Sequence, residues 1–413
     1  MPRRPVRRQP VAWGQRRSDV KPRARQQPLT SVVRETPSQP VDGTLLVVIV
    51  TLVLAGIVVA YTTTFHKGPE HLQAHLLRVG LGIVALVVGM LIPHTFYGRR
   101  FRWVILAIAL GLLAATLVFG KTTKGAERWL ELPGIPFQLQ PSEIAKFALP
   151  MWLAAWFWDL EEKQKQDLAF HNTLLVPGLV VFAFLALTVA QKSIGTTFIM
   201  AVSALALFLL AGVKLNYFVP AALLVAALLV GAVLFFPHGS SRLLAFLTGK
   251  PWQQVQAELA IGSGGLFGVG VGGGEHSRLF VPEVGTDFAV AALCEEFGLL
   301  GTLGVFGLYS AWLWRGIRIG LQAQEHFGKY LAPGIAVTVF VYAMVHIGVA
   351  AGVLPTTGQP LPFVSYGGTA MIANLFAAGV LLNVSRYNWR RNAVPGGSGR
   401  NGRPYPAGAR AGF

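Results

Sequence analysis

Residues 217–236 read YFVPAALLVAALLVGAVLFF, and residues 44–64 read TLLVVIVTLVLAGIVVAYTTT. Neither stretch contains a charged side chain, and each has the roughly 20 apolar residues that a helix needs to cross a hydrocarbon core of about 30 Å. Eight further stretches resemble them, although the fourth and eighth carry charges. The ten predicted spans are 44–64, 73–94, 101–120, 141–158, 173–190, 195–213, 217–236, 288–314, 330–353 and 366–385. The sequence therefore predicts an all-α integral membrane protein.

The composition of the whole chain agrees with this interpretation. Of the 413 residues, 53% are hydrophobic and 13% are charged, whereas a soluble domain has about 25% charged residues. A water-soluble globular protein is therefore excluded. The single cysteine, Cys294, leaves no internal disulfide and no cysteine-based metal site. Some forty polar residues precede the first span, which is unlike a secretory signal.

The net charge of +17 is concentrated at the two ends of the chain. Residues 1–43 hold ten basic and three acidic side chains, and residues 386–413 hold six arginines and no acid. Both ends are rich in Pro, Gly, Gln and Ser and are predicted to be disordered basic tails. A nucleic-acid-binding arm is the less favoured alternative, because no predicted folded element accompanies either tail.

The distribution of Lys and Arg predicts the direction of the spans. An even number of spans puts both termini on one side, and the basic tails indicate that this side is the cytoplasm. Arg99, Arg100, Arg102, Lys214, Arg315 and Arg318 fall in short loops on the same predicted side. The membrane domain is then 44–385. Three unusual loops face outward: 121–140, the large extracytoplasmic loop 237–287, and 354–365.

Ionisable side chains within predicted spans are costly and suggest function. Glu143 and Lys146 are three residues apart on one helix face. They form a structural ion pair, or Lys146 is a cation that meets an anionic lipid head group. For Glu295 and Glu296, structural pairing with Arg or Lys is favoured over chemistry. Asp287 ends an outer loop at the start of a span, where a carboxylate can accept a proton while partly desolvated.

Several familiar motifs are excluded. Residues 262–274 (GSGGLFGVGVGGG) formally contain GxGxxG, but no strand–helix unit surrounds the match. Flexibility or close backbone approach explains these glycines better. The chain has no GxxxxGK[ST], HExxH or GxSxG motif, so a nucleotide-driven pump, a zincin and an α/β-hydrolase have no support.

Four segments resemble the signature segments of the SEDS family (shape, elongation, division and sporulation). They are GAERWLELPGIPFQLQPSEIAKF (125–147), AIGSGGLFGVGVG (260–272), VPEVGTDFAVAALCEEFGLLG (281–301) and LPTTGQPLPFVSYGGTAMI (354–372). The resemblance covers all ten predicted spans and leaves out only the tails. It implies the SEDS fold, with ten transmembrane helices and both termini in the cytoplasm.

The resemblance also implies an activity: a peptidoglycan glycosyltransferase that polymerises lipid II at the outer face of the cytoplasmic (inner) membrane. The implied partners are lipid II, a class B penicillin-binding protein that crosslinks the product, other divisome proteins and membrane lipids, with no nucleic acid. The sequence requires no cofactor, although a divalent cation, Mg²⁺ or Mn²⁺, could share the charge of the diphosphate.

Carried onto this sequence, the family's essential carboxylate falls on Asp287, which is the predicted catalytic base. The implied substrate-contacting positions are Arg128, Trp129, Ser142, Glu143, Lys146, Ser263, Glu283, Thr286, Ser365 and Tyr366. Glycosyl transfer needs a base for the acceptor hydroxyl and positive charge for the departing diphosphate. Lys146, Arg128 and either Arg242 or Arg278 are the cations predicted to hold diphosphates.

The sequence departs from the family pattern at two places. The usual PExHTDF is PEVGTDF here, with Gly285 in place of His, and the usual QPDxGT has Ser193 in place of the acid. The LPTTGQPLPF segment is closer to the FtsW-like branch, which acts in septal wall synthesis during cell division, than to the RodA-like branch.

Three alternatives to a division polymerase remain open. The first is a RodA-like elongation polymerase. The second is a lipid II flippase, in which Glu143, Lys146 and the acids of span eight line a path across the bilayer. The third is a scaffold that only recruits the penicillin-binding partner.

Overall fold

A computed structural model describes residues 40–99, 101–123, 126–131, 138–162, 171–323 and 326–387. Most of both predicted tails lies outside these residues. The described part contains fourteen α-helices: α1 (Gly43–Thr64), α2 (Pro69–Leu91), α3 (His94–Arg99), α4 (Arg102–Phe119), α5 (Pro141–Glu162), α6 (Val176–Ala190), α7 (Ile194–Leu210), α8 (Leu215–Phe235), α9 (Pro237–Thr248), α10 (Trp252–Ser263), α11 (Glu275–Phe280), α12 (Ala289–Gln322), α13 (His326–Ala350) and α14 (Gly368–Arg386).

All ten predicted spans are helical, and the protein is an all-α membrane protein. Eight helical segments are long and apolar enough to cross a membrane: Gly43–Thr64, Pro69–Leu91, Arg102–Phe119, Thr173–Ala190, Leu215–Phe235, Ala289–Gln322, His326–Ala350 and Gly368–Arg386. The helix α7 is a shorter apolar helix of 17 residues. The helix α5 carries charged residues at both ends, which lowers its hydropathy below that of the other spans.

The loops contain more regular structure than the sequence predicts. The segment 237–287 contains three helices, α9, α10 and α11, rather than only irregular chain. In the segment 121–140, strands β1 (Lys121–Thr123) and β2 (Ala126–Trp129) form an antiparallel hairpin. The eighth predicted span, 288–314, continues to Gln322, so Arg315 and Arg318 lie in helix α12 rather than in the predicted loop.

The helices α13 and α14 form the centre of the bundle, and α8 lies at its edge with most of its apolar side chains exposed. The helix α14 packs along α2 at very short range. A Cβ atom at Gly379 would lie 2.0 Å from the carbonyl oxygen of Leu86, and one at Gly89 would lie 2.6 Å from that of Phe376. Glycine therefore lets the two backbones touch, as in other close membrane helix pairs.

Three ion pairs tie helix ends together at the end of the bundle where α1 begins. Asp42 caps α1 by accepting from the backbone N–H of Leu45 at 2.8 Å, and the same carboxylate pairs with Arg315 of α12. Arg102 pairs with Asp159. Lys329 pairs with Glu161 at 3.0 Å. These pairs fix α1, α4, α5, α12 and α13 at one end.

The helix α12 is interrupted at Gly298, whose φ of 68° and ψ of −168° are not helical. The glycine-rich segment 264–272 packs into this interruption and hydrogen-bonds its backbone. The N–H of Val269 donates to the carbonyl of Glu295 at 2.9 Å, and the N–H of Leu299 donates to that of Gly265 at 2.9 Å. Close backbone approach, one of the two explanations predicted for these glycines, is what the structure contains.

Candidate functional site

Asp287 lies in a tight turn immediately before α12. The carbonyl of Glu283, a residue with a φ of 55°, accepts from the N–H groups of Thr286 at 3.0 Å and Asp287 at 2.9 Å. The Thr286 hydroxyl also donates to the Glu283 carboxylate at 3.2 Å. Asp287 is half-buried, and the next residue, Phe288, is buried. The turn therefore holds the Asp287 carboxylate at the rim of the bundle.

The segment 354–366 lies against this turn and is bonded to it. The Ser365 hydroxyl donates to the Thr286 carbonyl at 2.7 Å, and the Tyr366 N–H donates to the Gly285 carbonyl at 2.7 Å. Gly358 has a φ of 66°, and a Cβ atom there would lie 3.7 Å from Asp287 Oδ2. The structure therefore brings together five of the predicted site residues: Asp287, Glu283, Thr286, Ser365 and Tyr366.

Two arginines lie near Asp287, and both are half-buried. Arg128, at the end of the hairpin, donates from Nε to the Gln191 carbonyl at 3.4 Å and from its terminal nitrogen to the Lys192 carbonyl. Arg242 of α9 donates to the Thr356 carbonyl at 3.0 Å.

Burial lowers the pKa of Arg128 to about 10. The positive charge of Arg242 adds to this shift, and Asp287 opposes it. Burial also lowers the pKa of Arg242, again opposed by Asp287. Arg128 therefore stays charged at neutral pH. Two half-buried like charges beside one carboxylate leave positive charge that an additional anion would neutralise.

An apolar groove of about 320 Å³ begins at the two arginines. Its polar end is formed by Arg128, Lys192 and Arg242, and the rest by apolar side chains. The apolar wall comprises Phe198 of α7, Leu229, Val230, Val233 and Leu234 of α8, Leu243 of α9 and Val345 of α13. Because α8 is at the edge of the bundle, the groove lies where lipid chains would reach it. The arrangement suits an amphiphile with an anionic head and an apolar tail.

Glu143 and Lys146 form the predicted ion pair, with Nζ 2.7 Å from Oε1 and both side chains fully buried. Tyr342 of α13 donates to Glu143 at 3.2 Å, and Lys146 Nζ lies 3.4 Å from the centre of the Tyr342 ring. Lys146 also donates to the Gln359 side-chain oxygen at 3.2 Å. The pair is therefore enclosed in protein, and the geometry favours the structural interpretation over direct contact with a head group.

The position of Ser193 is part of the same network. Its hydroxyl donates to Thr196 Oγ1 at 2.9 Å, and Thr196 donates to Gln359 Oε1 at 3.3 Å. Neutral groups on Ser193, Thr196 and Gln359 thus stand where the family pattern has an acid. His346 contacts the Gln359 carbonyl oxygen through Nδ1 at 2.7 Å, which fixes the segment beside Gly358.

The groove at the arginine pair is not lined by the other predicted residues, Ser142, Ser263 and Trp129. The Ser142 hydroxyl is fully buried and has no hydrogen-bond partner in the described part of the chain. Ser263 is exposed at the end of α10, where its hydroxyl donates to the Ala260 carbonyl at 2.8 Å. The chain packs on α12 there, at Cys294, two turns beyond Asp287. Trp129 is half-buried beside Arg128.

Two charged residues have other partners than those expected. Arg278 lies over the Phe65 ring, 5.2 Å from its centre, rather than beside Arg128. Glu295 accepts from the N–H groups of His276 at 2.8 Å and Ser277 at 2.7 Å. The predicted pairing of Glu295 with Arg or Lys is therefore wrong. Glu295 does have a structural role, because its carboxylate accepts from backbone N–H groups at the start of α11, which satisfy it as a cation would.

Several polar residues of the site were not identified from the sequence. Tyr342, His346 and Gln359 were missed, and the first two lie in a span that is otherwise apolar. Their polarity at membrane depth was the available signal. Nothing in the sequence indicates that Gln359 would meet Lys146, because the two are 213 residues apart.

The fold and this site define a class: a polytopic helical membrane protein with a carboxylate and two half-buried arginines at one end of an apolar groove. The particular family follows from sequence comparison. Residues 43–390 match the FtsW/RodA/SpoVE family, described as cell cycle proteins. The chain belongs to this family.

Curated relatives cover most of the chain. A probable peptidoglycan glycosyltransferase FtsW from Geobacter metallireducens is 36% identical over 83% of this chain and 94% of its own length. Stage V sporulation protein E from Bacillus subtilis is 34% identical over 83% and 97%. Peptidoglycan glycosyltransferase MrdB from Escherichia coli is 34% identical over 83% and 93%.

Solved structures are similar as well. A chain from a peptidoglycan synthase complex that coordinates polymerization and crosslinking has a TM-score of 0.70 at 25% identity, covering 84% of this chain and 98% of that one. The rod shape determining protein RodA of Thermus thermophilus has a TM-score of 0.64 at 25% identity, covering 85% and 98%. The SEDS-type fold predicted from the signature segments is confirmed.

Proposed function

We propose that this chain is a peptidoglycan glycosyltransferase of the septal, FtsW-like type, which polymerises lipid II into glycan strands at the outer face of the cytoplasmic membrane. The supporting observation is that a half-buried carboxylate and two half-buried guanidiniums meet at one end of an apolar groove. Relatives named peptidoglycan glycosyltransferase FtsW point to the same activity and favour the septal role over a RodA-like one.

In the proposed reaction, Asp287 accepts the proton of the acceptor sugar hydroxyl as that oxygen attacks the anomeric carbon of the donor. The bond between that carbon and the lipid diphosphate breaks, and the diphosphate leaves with the electron pair. Arg128 and Arg242 neutralise the charge that develops on it. Direct attack by the activated hydroxyl predicts inversion at the anomeric carbon, as in single-displacement glycosidases.

The groove and the enclosed ion pair have separate roles in this proposal. The groove between α7 and α8 holds the start of the prenyl chain, and the arginines at its polar end hold the diphosphate. Glu143 and Lys146 do not touch the substrate. They hold Gln359, and through it Gly358, against Asp287. For Trp129, Ser142 and Ser263, contact with the substrate stays a prediction.

A divalent cation would have to be held mainly by the diphosphate. Among the described residues, no group of three His, Cys, Asp or Glu side chains could bind a metal ion. The two arginines already supply positive charge at the groove, and no step above is assigned to a metal.

The proposed partner is a class B penicillin-binding protein, which crosslinks the strands that this chain makes. Support comes from the structural similarity to the synthase complex that couples polymerization with crosslinking. Other divisome proteins and anionic membrane lipids are proposed contacts of the basic tails.

The test is polymerisation of lipid II by the purified chain with its class B partner. The unmodified chain should make glycan strands, and Asp287→Ala should make none while keeping its melting temperature. Strand synthesis by Asp287→Ala would contradict the proposed role of the carboxylate. Movement of lipid II across vesicles without polymer would instead identify a flippase.

A further inference from the structure

Arg78 is a charged residue within a membrane-crossing helix. It is the tenth residue of α2, about 14 Å along the axis from the helix start at a rise of about 1.5 Å per residue. Its side chain is half-buried, and no carboxylate among the described residues forms an ion pair with it. A charge at this depth is costly and is kept for a functional reason in most membrane proteins.

An aromatic ring and a histidine hold the guanidinium in place. Arg78 lies over the Tyr366 ring, 4.4 Å from its centre. His75 stacks on the same ring with 5.4 Å between centres and an interplanar angle of 21°. His75 is fully buried, and neither of its ring nitrogens has a hydrogen-bond partner in the described part of the chain. The cluster therefore has hydrogen-bonding capacity that the protein does not use.

This cluster is bonded to the segment that carries Asp287. The Tyr366 N–H donates to the Gly285 carbonyl at 2.7 Å, two residues before Asp287. Arg242, in contrast, is bonded to the segment at Thr356, next to the part that faces the Asp287 carboxylate. Arg78 and Arg242, from different helices, thus contact the same segment, 354–366, at different residues.

We propose that Arg78, His75 and Tyr366 form a second binding site for the diphosphate of a lipid-linked sugar. The inference rests on the proposed function, because a polymerase that joins two lipid-linked sugars must hold two diphosphates. Arg128 and Arg242 hold one. At the second, Arg78 and a His75 nitrogen bind phosphate oxygens, and the Tyr366 ring fixes the guanidinium by a cation–π contact.

The surface of α2 suits the lipid chain of such a ligand. Leu77, Leu81 and Val84 are exposed and lie within two turns of Arg78. They form an apolar track that runs from the cluster along the helix. A prenyl chain can follow this track within the bilayer while its diphosphate stays at Arg78.

The experiment counts undecaprenyl diphosphate molecules bound to the full-length purified protein by native mass spectrometry. The unmodified chain should bind two. Arg78→Met should bind one, with the second affinity weaker by about 10- to 100-fold, as expected for loss of a charge-assisted contact. Arg78→Lys should recover part of the loss. The double variant Arg128→Met/Arg242→Met should also bind one.

Arg318→Met is the matched control, because Arg318 lies over the Trp314 ring at 4.3 Å at the far end of α12. It should still bind two molecules. If Arg78→Met fails to fold, His75→Phe keeps the ring stacking and removes the nitrogens, and it should weaken the second binding event by several-fold.

Binding of two molecules by Arg78→Met or by His75→Phe, with unchanged affinities, would overturn the proposal and leave the proposed function intact. So would phosphatidylglycerol that occupies the Arg78 site and resists displacement by undecaprenyl diphosphate, since the site would then serve bulk lipid. Failure of the proposed function is distinguished by a different result, the absence of polymer when the unmodified chain and its partner receive lipid II.

Discussion

Gly285 stands where the family pattern has histidine, and its surroundings show whether the backbone there requires glycine. A Cβ atom at this position would lie 3.4 Å from Thr63 Oγ1 and 3.8 Å from Tyr366 Cβ, which are ordinary contacts. The imidazole of His75 stacks on Tyr366, whose N–H donates to the Gly285 carbonyl. The backbone at Gly285 therefore has no need of glycine, unlike that at Gly268.

Gly285→Ala and Gly268→Ala should differ clearly in stability. Gly285→Ala should change the free energy of unfolding by less than about 0.5 kcal/mol. At Gly268, φ is 82° and a Cβ atom would lie 2.1 Å from the Glu296 carbonyl oxygen, so Gly268→Ala should cost about 1 kcal/mol or more. Thermal unfolding in detergent measures both. Equal losses would show that the contact at Gly268 relaxes freely.

The enclosed pair of Glu143 and Lys146 should be sensitive to the loss of one partner. Lys146→Met leaves the Glu143 charge buried without its cation, which costs about 3–5 kcal/mol. Replacing both, as Glu143→Gln/Lys146→Met, should recover a large part of this loss because no net charge stays buried. The measurement is unfolding in detergent for both variants.

The half-exposed pair of Lys250 and Glu258, with its two charged atoms 2.6 Å apart, is the control for that experiment. Glu258→Gln should cost less than about 1 kcal/mol, because solvent screens such pairs. A double variant at Glu143 and Lys146 as unstable as Lys146→Met alone would mean that packing, rather than charge, sets the cost.

Helix α8 lies at the edge of the bundle and also lines the groove. Most of its side chains face outward, yet Leu229, Val230, Val233 and Leu234 form one wall of the groove that starts at Arg128 and Arg242. The groove is therefore bounded on one side by a helix with few packing partners. Its width depends on side-chain volume along α8, which substitution can change without disturbing the core.

Val230→Trp should partly fill the groove and impair binding of the lipid chain. We expect KM for lipid II to rise about tenfold with little change in kcat, the pattern of lost uniform binding. Leu223→Trp is the control, since Leu223 is exposed on the same helix and does not line the groove. Equal kinetics for the two variants would remove the groove from the account of substrate binding.

For the molecule as a whole, long apolar runs predicted the helices well, because the length of a span and its hydropathy are local properties. The family resemblance singled out Asp287, Glu283, Thr286, Ser365 and Tyr366 as site residues, but it did not predict the turn that holds them together. The enclosure of Lys146 could not be predicted, because it depends on Tyr342 and Gln359, which are distant in sequence. The helices within 237–287 were not predicted either, because their apolar content is too low to stand out in the sequence.

The orientation in the membrane is a prediction from Lys and Arg in short loops, and it decides whether Asp287 can meet lipid II outside the cell. Thr248 in the α9–α10 turn and Lys214 in the α7–α8 turn are exposed and lie on opposite predicted sides. In a Cys294→Ala background, Thr248→Cys should react with a membrane-impermeant maleimide in intact cells. Lys214→Cys should react only after the cells are opened. The reverse pattern would place Asp287 on the cytoplasmic side and end the proposal of extracytoplasmic strand synthesis.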